Sequence, residues 1–186
     1  MADIKKIKTP LDAATVESLR AGDQVLISGV LYTARDTAHK RMVDALDRGE
    51  KLPFDISGQV VYYVGPSPAK PGKVIGSAGP TTSYRMDAYA ERLMEKGMKG
   101  MIGKGMRDKK IIDAMKKHKC VYFAAIGGAA ALIARSIKSA EVIAYDDLGP
   151  EAVRRLEVVD FQAFVINDVY GGDLYEIGKA EYKSAV

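Results

Sequence analysis

Three times in this chain a short apolar run hands over to a segment with helical character, and each handover carries a cation. Strands alternating with helices demand a parallel or mixed sheet, and strand ends that run into helix starts are where such sheets place ligand groups. The first run, Val25 through Leu31, reads as a buried strand. Arg35 leaves its end, and Asp36 or Thr37 is placed to cap a helix over 36–49, closed by Gly49. The second, Val74 to Ala78, leads into the turn Gly79-Pro80 and a helix over 84–97. That helix has an apolar stripe of Met86, Tyr89, Ala90, Leu93 and Met94. The third, a strand over 99–102, passes through Gly103-Lys104-Gly105 into a helix over 107–118. Glycines on both sides of Lys104 let the backbone come close to a ligand while the ammonium points at it.

The rest of the chain extends this α/β pattern. Residues 1–10 form a polar lead, and Thr15 to Gly22 reads as a short amphipathic turn. Ser57 to Val64 is strand-like, and the three prolines of Gly65 to Lys73 argue against helix. Strands follow over 120–126, 140–145 and 156–165, with helices over 128–135 and 149–154 between them. Asn167-Asp168 and Gly171-Gly172-Asp173 signal a turn. The expectation is one domain over 1–186, with a mixed sheet, flanking helices and antiparallel or barrel-like strands at both ends.

The segment GPTTSYRMD, Gly79 to Asp87, carries the most chemistry. Thr81 and Thr82 follow a fixed turn, and Arg85 sits one helical turn beyond Thr81. Hydroxyls, backbone N–H groups and a guanidinium at a helix start suit a small anion. The plain alternative is that a threonine caps the helix. A net charge of +4 fits an anionic small molecule or an acidic partner surface. The lysines are scattered and form no stripe of the kind nucleic acids select.

Competing motifs fail. A phosphate loop needs G-x-x-x-x-G-K followed by Ser or Thr, but Gly103-Lys104 is followed by Gly105 and position 98 is methionine. Gly127-Gly128 follows a strand without the G-x-G-x-x-G pattern, so close packing or approach at an interface is the expected role. Two histidines, His39 and His118, are too few for a histidine-rich metal site. His39 lies one turn beyond Arg35 and is a ligand-binding candidate, with helix packing as the alternative. Met94, Met98, Met101, Met106 and Met115 read as core filling, with a flexible contact surface as the alternative, and Tyr62, Tyr63, Tyr84 and Tyr89 as helix-packing residues. The one cysteine, Cys120, lies in an apolar run and reads as a buried structural thiol. A single thiol, no signal-peptide core and no apolar stretch of roughly 20 residues lead us to expect a cytoplasmic protein.

Taken together, ARDTAHKR, GPTTSYRMD, GKG and the later segment Ala125 to Val158 resemble the β subunit of the class I, iron–sulfur-dependent hydro-lyases. These are the fumarate hydratases and L-tartrate dehydratases, and the resemblance runs from about Pro10 to Glu176. It implies a swivelling β/β/α domain that hydrates fumarate to (S)-malate, a tricarboxylic acid cycle step, with L-tartrate dehydration as the alternative. It further implies a partner α subunit bearing a 4Fe–4S cluster, assembled with this chain as a heterotetramer or a higher dimer of αβ units. Thr81 inherits the role of base, and Arg35, Thr82, Arg85, Lys104 and His39 become substrate-binding residues. No metal is assigned to this chain, because a cluster takes three or four thiolates and Cys120 is alone. A non-enzymatic anion-binding module on the same scaffold is the reading from a different class.

Overall fold

The computed structural model describes residues 3–126 and 129–184, so Gly127-Gly128 lies outside the described residues. Five strands, β1 (Lys5–Lys8), β2 (Gln24–Thr33), β3 (Val60–Tyr62), β4 (Gly100–Gly103) and β5 (Val121–Ala124), pair parallel in that order. Two more, β6 (Ile137–Ala144) and β7 (Val153–Asn167), pair antiparallel. The long β7 runs beside β2 on one edge, and beside β6 and then β5 on the other. Its pairing with both β2 and β5 closes β2, β3, β4, β5 and β7 into a ring.

Strand side chains alternate between faces, so β3, β4, β5 and β7 each feed two cores. One face carries Ile27, Leu31, Val60, Tyr62, Ile102, Phe123, Leu156, Phe161 and Val165 into one cluster. The other carries Val61, Tyr63, Met101 and Tyr122 against the helices. These are α2 (Asp36–Asp47), α3 (Asp87–Met94) and α4 (Lys109–His118), which bury Met42, Leu93, Met94, Ile111 and Met115 at helical spacing. Because β3 to β5 are covered on both faces, their sequences are apolar without alternation. Met94, Met98, Met101 and Met115 are buried core residues, whereas Met106 is exposed. Cys120 is buried as expected. Tyr84, expected to pack against a helix, is exposed instead.

Several boundaries differ from the sequence expectation for identifiable reasons. The polar lead contains β1, in which Ile7 alone is buried while its lysine neighbours are not. One apolar residue leaves no periodicity to read. Val74 to Ala78 forms no strand. The helix expected over 84–97 starts as a 3-10 turn, Ser83–Met86, and α3 ends at Met94. The helix expected over 149–154 is a 3-10 segment, Asp146–Glu151, with Gly149 and Pro150 inside it. A short α1 (Ala13–Ser18), capped by the Asp12 side chain, replaces the expected turn. The helix expected over 128–135 is α5 (Ala130–Ser136), and α6 (Leu174–Ser184) follows the C-terminal turn. No described helix is long and apolar enough to cross a membrane.

Candidate functional site

The carboxyl ends of β2, β3 and β4 lie side by side, and the sequence motifs meet there. After the proline-rich excursion the chain returns to the end of β3, where the Thr81 N–H donates to the Tyr63 carbonyl at 2.7 Å. Thr82 and Lys104 then form a parallel bridge. The Lys104 N–H donates to the Thr81 carbonyl at 3.2 Å, and the Ser83 N–H donates to the Lys104 carbonyl at 2.9 Å. This close approach needs a glycine at 103, because a Cβ there would strike the Ser83 hydroxyl. That hydroxyl also accepts from the Lys104 N–H at 3.1 Å and lies 2.9 Å from the buried Tyr122 hydroxyl. The two segments that carry Thr81 and Lys104 are thereby stitched together although they are separated in sequence.

Two carboxylates orient the arginines. The Asp36 carboxylate lies between them, 3.5 Å from Nε of Arg85 and 3.8 Å from Nη2 of Arg35. Glu151 sits 3.5 Å from the same Nη2 and accepts the Thr37 N–H at 3.1 Å. Arg85 also donates through Nη2 to Thr81 Oγ1 at 3.1 Å. A Cβ on Gly65 would come within 2.8 Å of Arg35 Nη1, so the absent side chain gives the guanidinium its place. Lys104 is exposed and has no ion pair among the described residues. Asp36 and Glu151 face Arg35 and Arg85, and Lys104 adds a cation unpaired among the described residues, which leaves the three cations in excess of the two carboxylates by one charge.

The capping alternative for the threonines does not hold. The 3-10 turn starts at Ser83, Thr82 occupies its N-cap position, and no side chain makes the cap bond. Thr81 accepts from Arg85 instead.

His39 is placed differently from the expectation that it binds substrate. It is fully buried on α2, and Nδ1 lies 2.9 Å from the Arg35 carbonyl. A carbonyl can only accept, so Nδ1 carries the proton. Its ring meets Tyr63 edge-on at 5.1 Å. Burial pushes its pKa down to about 4, against the opposing effect of the Arg35 carbonyl, so the ring is neutral. His39 therefore holds the backbone of Arg35 from below rather than reaching the edge.

Asp36 was legible only as a helix start, and Glu151 was not legible at all. It reaches Thr37 across 114 residues of sequence, a separation no local pattern encodes. Elsewhere, Glu91, Glu95 and His118 converge within 4.8 Å. Lys117 and Arg92 already pair with those two carboxylates. Cys120 is buried, and that burial pushes its thiol up to about 12, which suits a core residue and not a metal thiolate.

The family described as "Fumarase C-terminus" matches residues 2–178 of the chain. "Fumarate hydratase 2" of Leishmania major is 39% identical over 173 residues, covering 91% of this chain and 30% of that protein. "Fumarate hydratase class I, aerobic" of Escherichia coli (strain K12) is 41% identical over 152 residues, covering 81% of this chain and 28% of that protein. The chain therefore spans less than a third of the length of these fumarate hydratase relatives. "Putative L(+)-tartrate dehydratase subunit beta" of Methanocaldococcus jannaschii is 38% identical over 175 residues, covering 90% of each.

Proposed function

This chain belongs to the fumarase C-terminus family, and from that membership we propose that it is the β subunit of an iron–sulfur hydro-lyase acting on a four-carbon dicarboxylate, fumarate plus water to (S)-malate. The observation that carries the reading is the gathering of Arg35, Arg85 and Lys104 around Thr81 at one sheet edge. A dicarboxylate needs cations with fixed geometry, and arginine supplies a planar fork where lysine supplies a point charge. Asp36 and Glu151 lie 3.5–3.8 Å from the two guanidiniums and restrict them before a ligand arrives, which lowers the ordering cost of binding.

Removing a proton beside a carboxylate builds negative charge on that carboxylate in the transition state. Cations at the edge therefore stabilise the transition state more than the ground state. Thr81 is the group that takes the proton. A threonine hydroxyl is a weak base unaided, and donation from Arg85 favours its deprotonated form. Thr82 sits beside it on the strand-like bridge to Lys104 and offers a hydroxyl to the substrate.

An iron–sulfur cluster does not fit this chain's own residues, whose one cysteine is buried and protonated. We place the cluster on a partner α subunit. Exposed apolar side chains flank the cations, Tyr84 beside Arg85 and Met106 near Lys104, and they suit a surface that a partner covers. A heterotetramer or a higher dimer of αβ units, in the cytoplasm, is part of this reading. So are the swivelling β/β/α architecture and residues 1–186 as one domain, both supported by the closed strand ring with helices packed on it.

L-tartrate dehydration is the second reading. It is favoured by the relative of matching length, whose name is that of a tartrate dehydratase β subunit. The test is co-expression with a cluster-bearing partner, anaerobic cluster reconstitution, and assay on malate, fumarate and L-tartrate. Turnover by the complex and none by the chain alone is expected. Turnover by the chain alone, or a loaded complex inert on all three, overturns the proposal.

A further inference from the structure

Beneath the cationic edge lies a buried arginine that the proposed chemistry does not use. The Arg107 side chain is 0% exposed. Its Nε donates to Asp87 Oδ1 at 2.6 Å, and Asp87 Oδ2 accepts the Asp108 N–H at 2.8 Å. Nη1 points at Met101 Sδ, and the guanidinium carbon lies 5.0 Å from the Tyr122 ring centroid and 5.6 Å from that of Tyr63. Nη2 has no hydrogen-bond partner among the described residues.

Position in the chain gives this pair its meaning. Asp87 is the first residue of α3 and follows Arg85 by two residues, while Arg107 follows Lys104 by three. One carboxylate therefore binds the segment that carries Arg85 to the segment that carries Lys104. The backbone bridge between Thr82 and Lys104 fixes these segments at one end, and the Asp87–Arg107–Asp108 contacts fix them at the other. Stability alone is a poor reason to bury an ion pair, since apolar residues of similar volume usually do as well or better. A fixed separation between two cations is a better one.

We propose that Arg107 is a positioning residue: through Asp87 it sets the distance between the Arg85 guanidinium and the Lys104 ammonium, and so the length of dicarboxylate the edge accepts. This rests on the hydro-lyase reading for its substrate, though not for its geometry. A shift of about 1 Å in such groups is enough to cost roughly a hundredfold in rate.

The experiment uses the αβ complex with two variants. Arg107→Lys keeps a charge and loses the fork; the pair Arg107→Met with Asp87→Asn removes both charges, so neither is left unpaired. Two readouts are taken: crystal structures of the complexes, and steady-state kinetics with succinate and glutarate as competitive inhibitors. The expected result is a displaced Arg85 relative to Lys104. With it, kcat/KM should fall roughly a hundredfold with most of the loss in kcat, and the preference for succinate over glutarate should shrink. A merely structural role would lower Tm and leave kcat/KM and the inhibitor preference of the folded complex unchanged, which overturns the proposal. Unmoved segments in the crystal, or failure of both variants to fold, overturn it too. Segments displaced in the variants, beside a wild-type complex that never turns over a dicarboxylate, would uphold the positioning role and sink the hydro-lyase reading instead.

Discussion

Arg85 donates from Nη2 to the side-chain oxygen of Thr81 at 3.1 Å, although the same guanidinium also faces Asp36. The bond ties the candidate base to a candidate substrate-binding cation, and it does so in place of a helix cap. A hydroxyl that accepts from a cation is more easily deprotonated. Thr81 and Arg85 are thus one unit, and their mutational effects should not add.

For Thr81 the informative variants are Ser, Val and Asn. Thr81→Ser should keep part of the activity of the αβ complex, because the hydroxyl survives. Thr81→Val and Thr81→Asn should each lose about a hundredfold or more in kcat, comparable to losing one oxyanion-hole donor. All three should unfold within about 1 kcal/mol of wild type, since no cap is lost. Full activity in Thr81→Asn, measured beside normal thermal stability, ends the base assignment.

Arg35→Ala and Arg85→Ala should each raise the barrier by about 2–4 kcal/mol in the complex. Lysine at either position should recover only a fraction, because the fork is lost. The measurement is kcat/KM on malate with circular dichroism as a folding check. A folded Arg85→Ala complex with wild-type kcat/KM removes that arginine from the site.

His39 predicts a pH dependence of folding. Its pKa falls from 6.5 in an unfolded chain to about 4 in the fold, chiefly through burial. Between those values the unfolded state binds more protons, so stability rises with pH across the window. The stabilisation is complete above about pH 6.5 and is lost as pH falls to about 4, amounting to about 3 kcal/mol. His39→Asn removes the titration and leaves other acid groups in place. Urea unfolding of both proteins from pH 4 to 7 should show the stability difference shrinking toward acid; a constant difference would refute a buried neutral His39.

Gly103→Ala tests the stitch between Thr81 and Lys104. Its methyl would collide with the Ser83 hydroxyl, which Tyr122 and the Lys104 N–H already hold in place. Overpacking of this kind should cost about 1–3 kcal/mol. Gly178→Ala is the contrasting control: its Cβ meets nothing within 4 Å on exposed helix α6. That change should be neutral or stabilise by up to about 1 kcal/mol. Denaturant midpoints of the two variants decide the matter, and equal effects would mean the close approach at Gly103 is relaxed in solution.

By itself, the amino-acid sequence determined the α/β alternation, the helix starts at Asp36 and Lys109 to within two residues, and the nomination of Arg35, Thr81, Thr82, Arg85 and Lys104. Those features rest on local periodicity, turn chemistry and residue type, all of which act over a few residues. Only the tertiary structure decided that β7 closes the strand ring, because hydrogen bonding between β2 and β7 joins distant segments whose apolar patterns do not name a partner. It also decided that His39 lies beneath the edge and not at it. A histidine one turn after Arg35 can face either way until Tyr63 packs against its ring. Glu151 and the Asp87–Arg107 pair belong to the same class. Their charges look like ordinary solvated side chains in the sequence, and only folding brings Glu151 beside Arg35 and withdraws Arg107 from water.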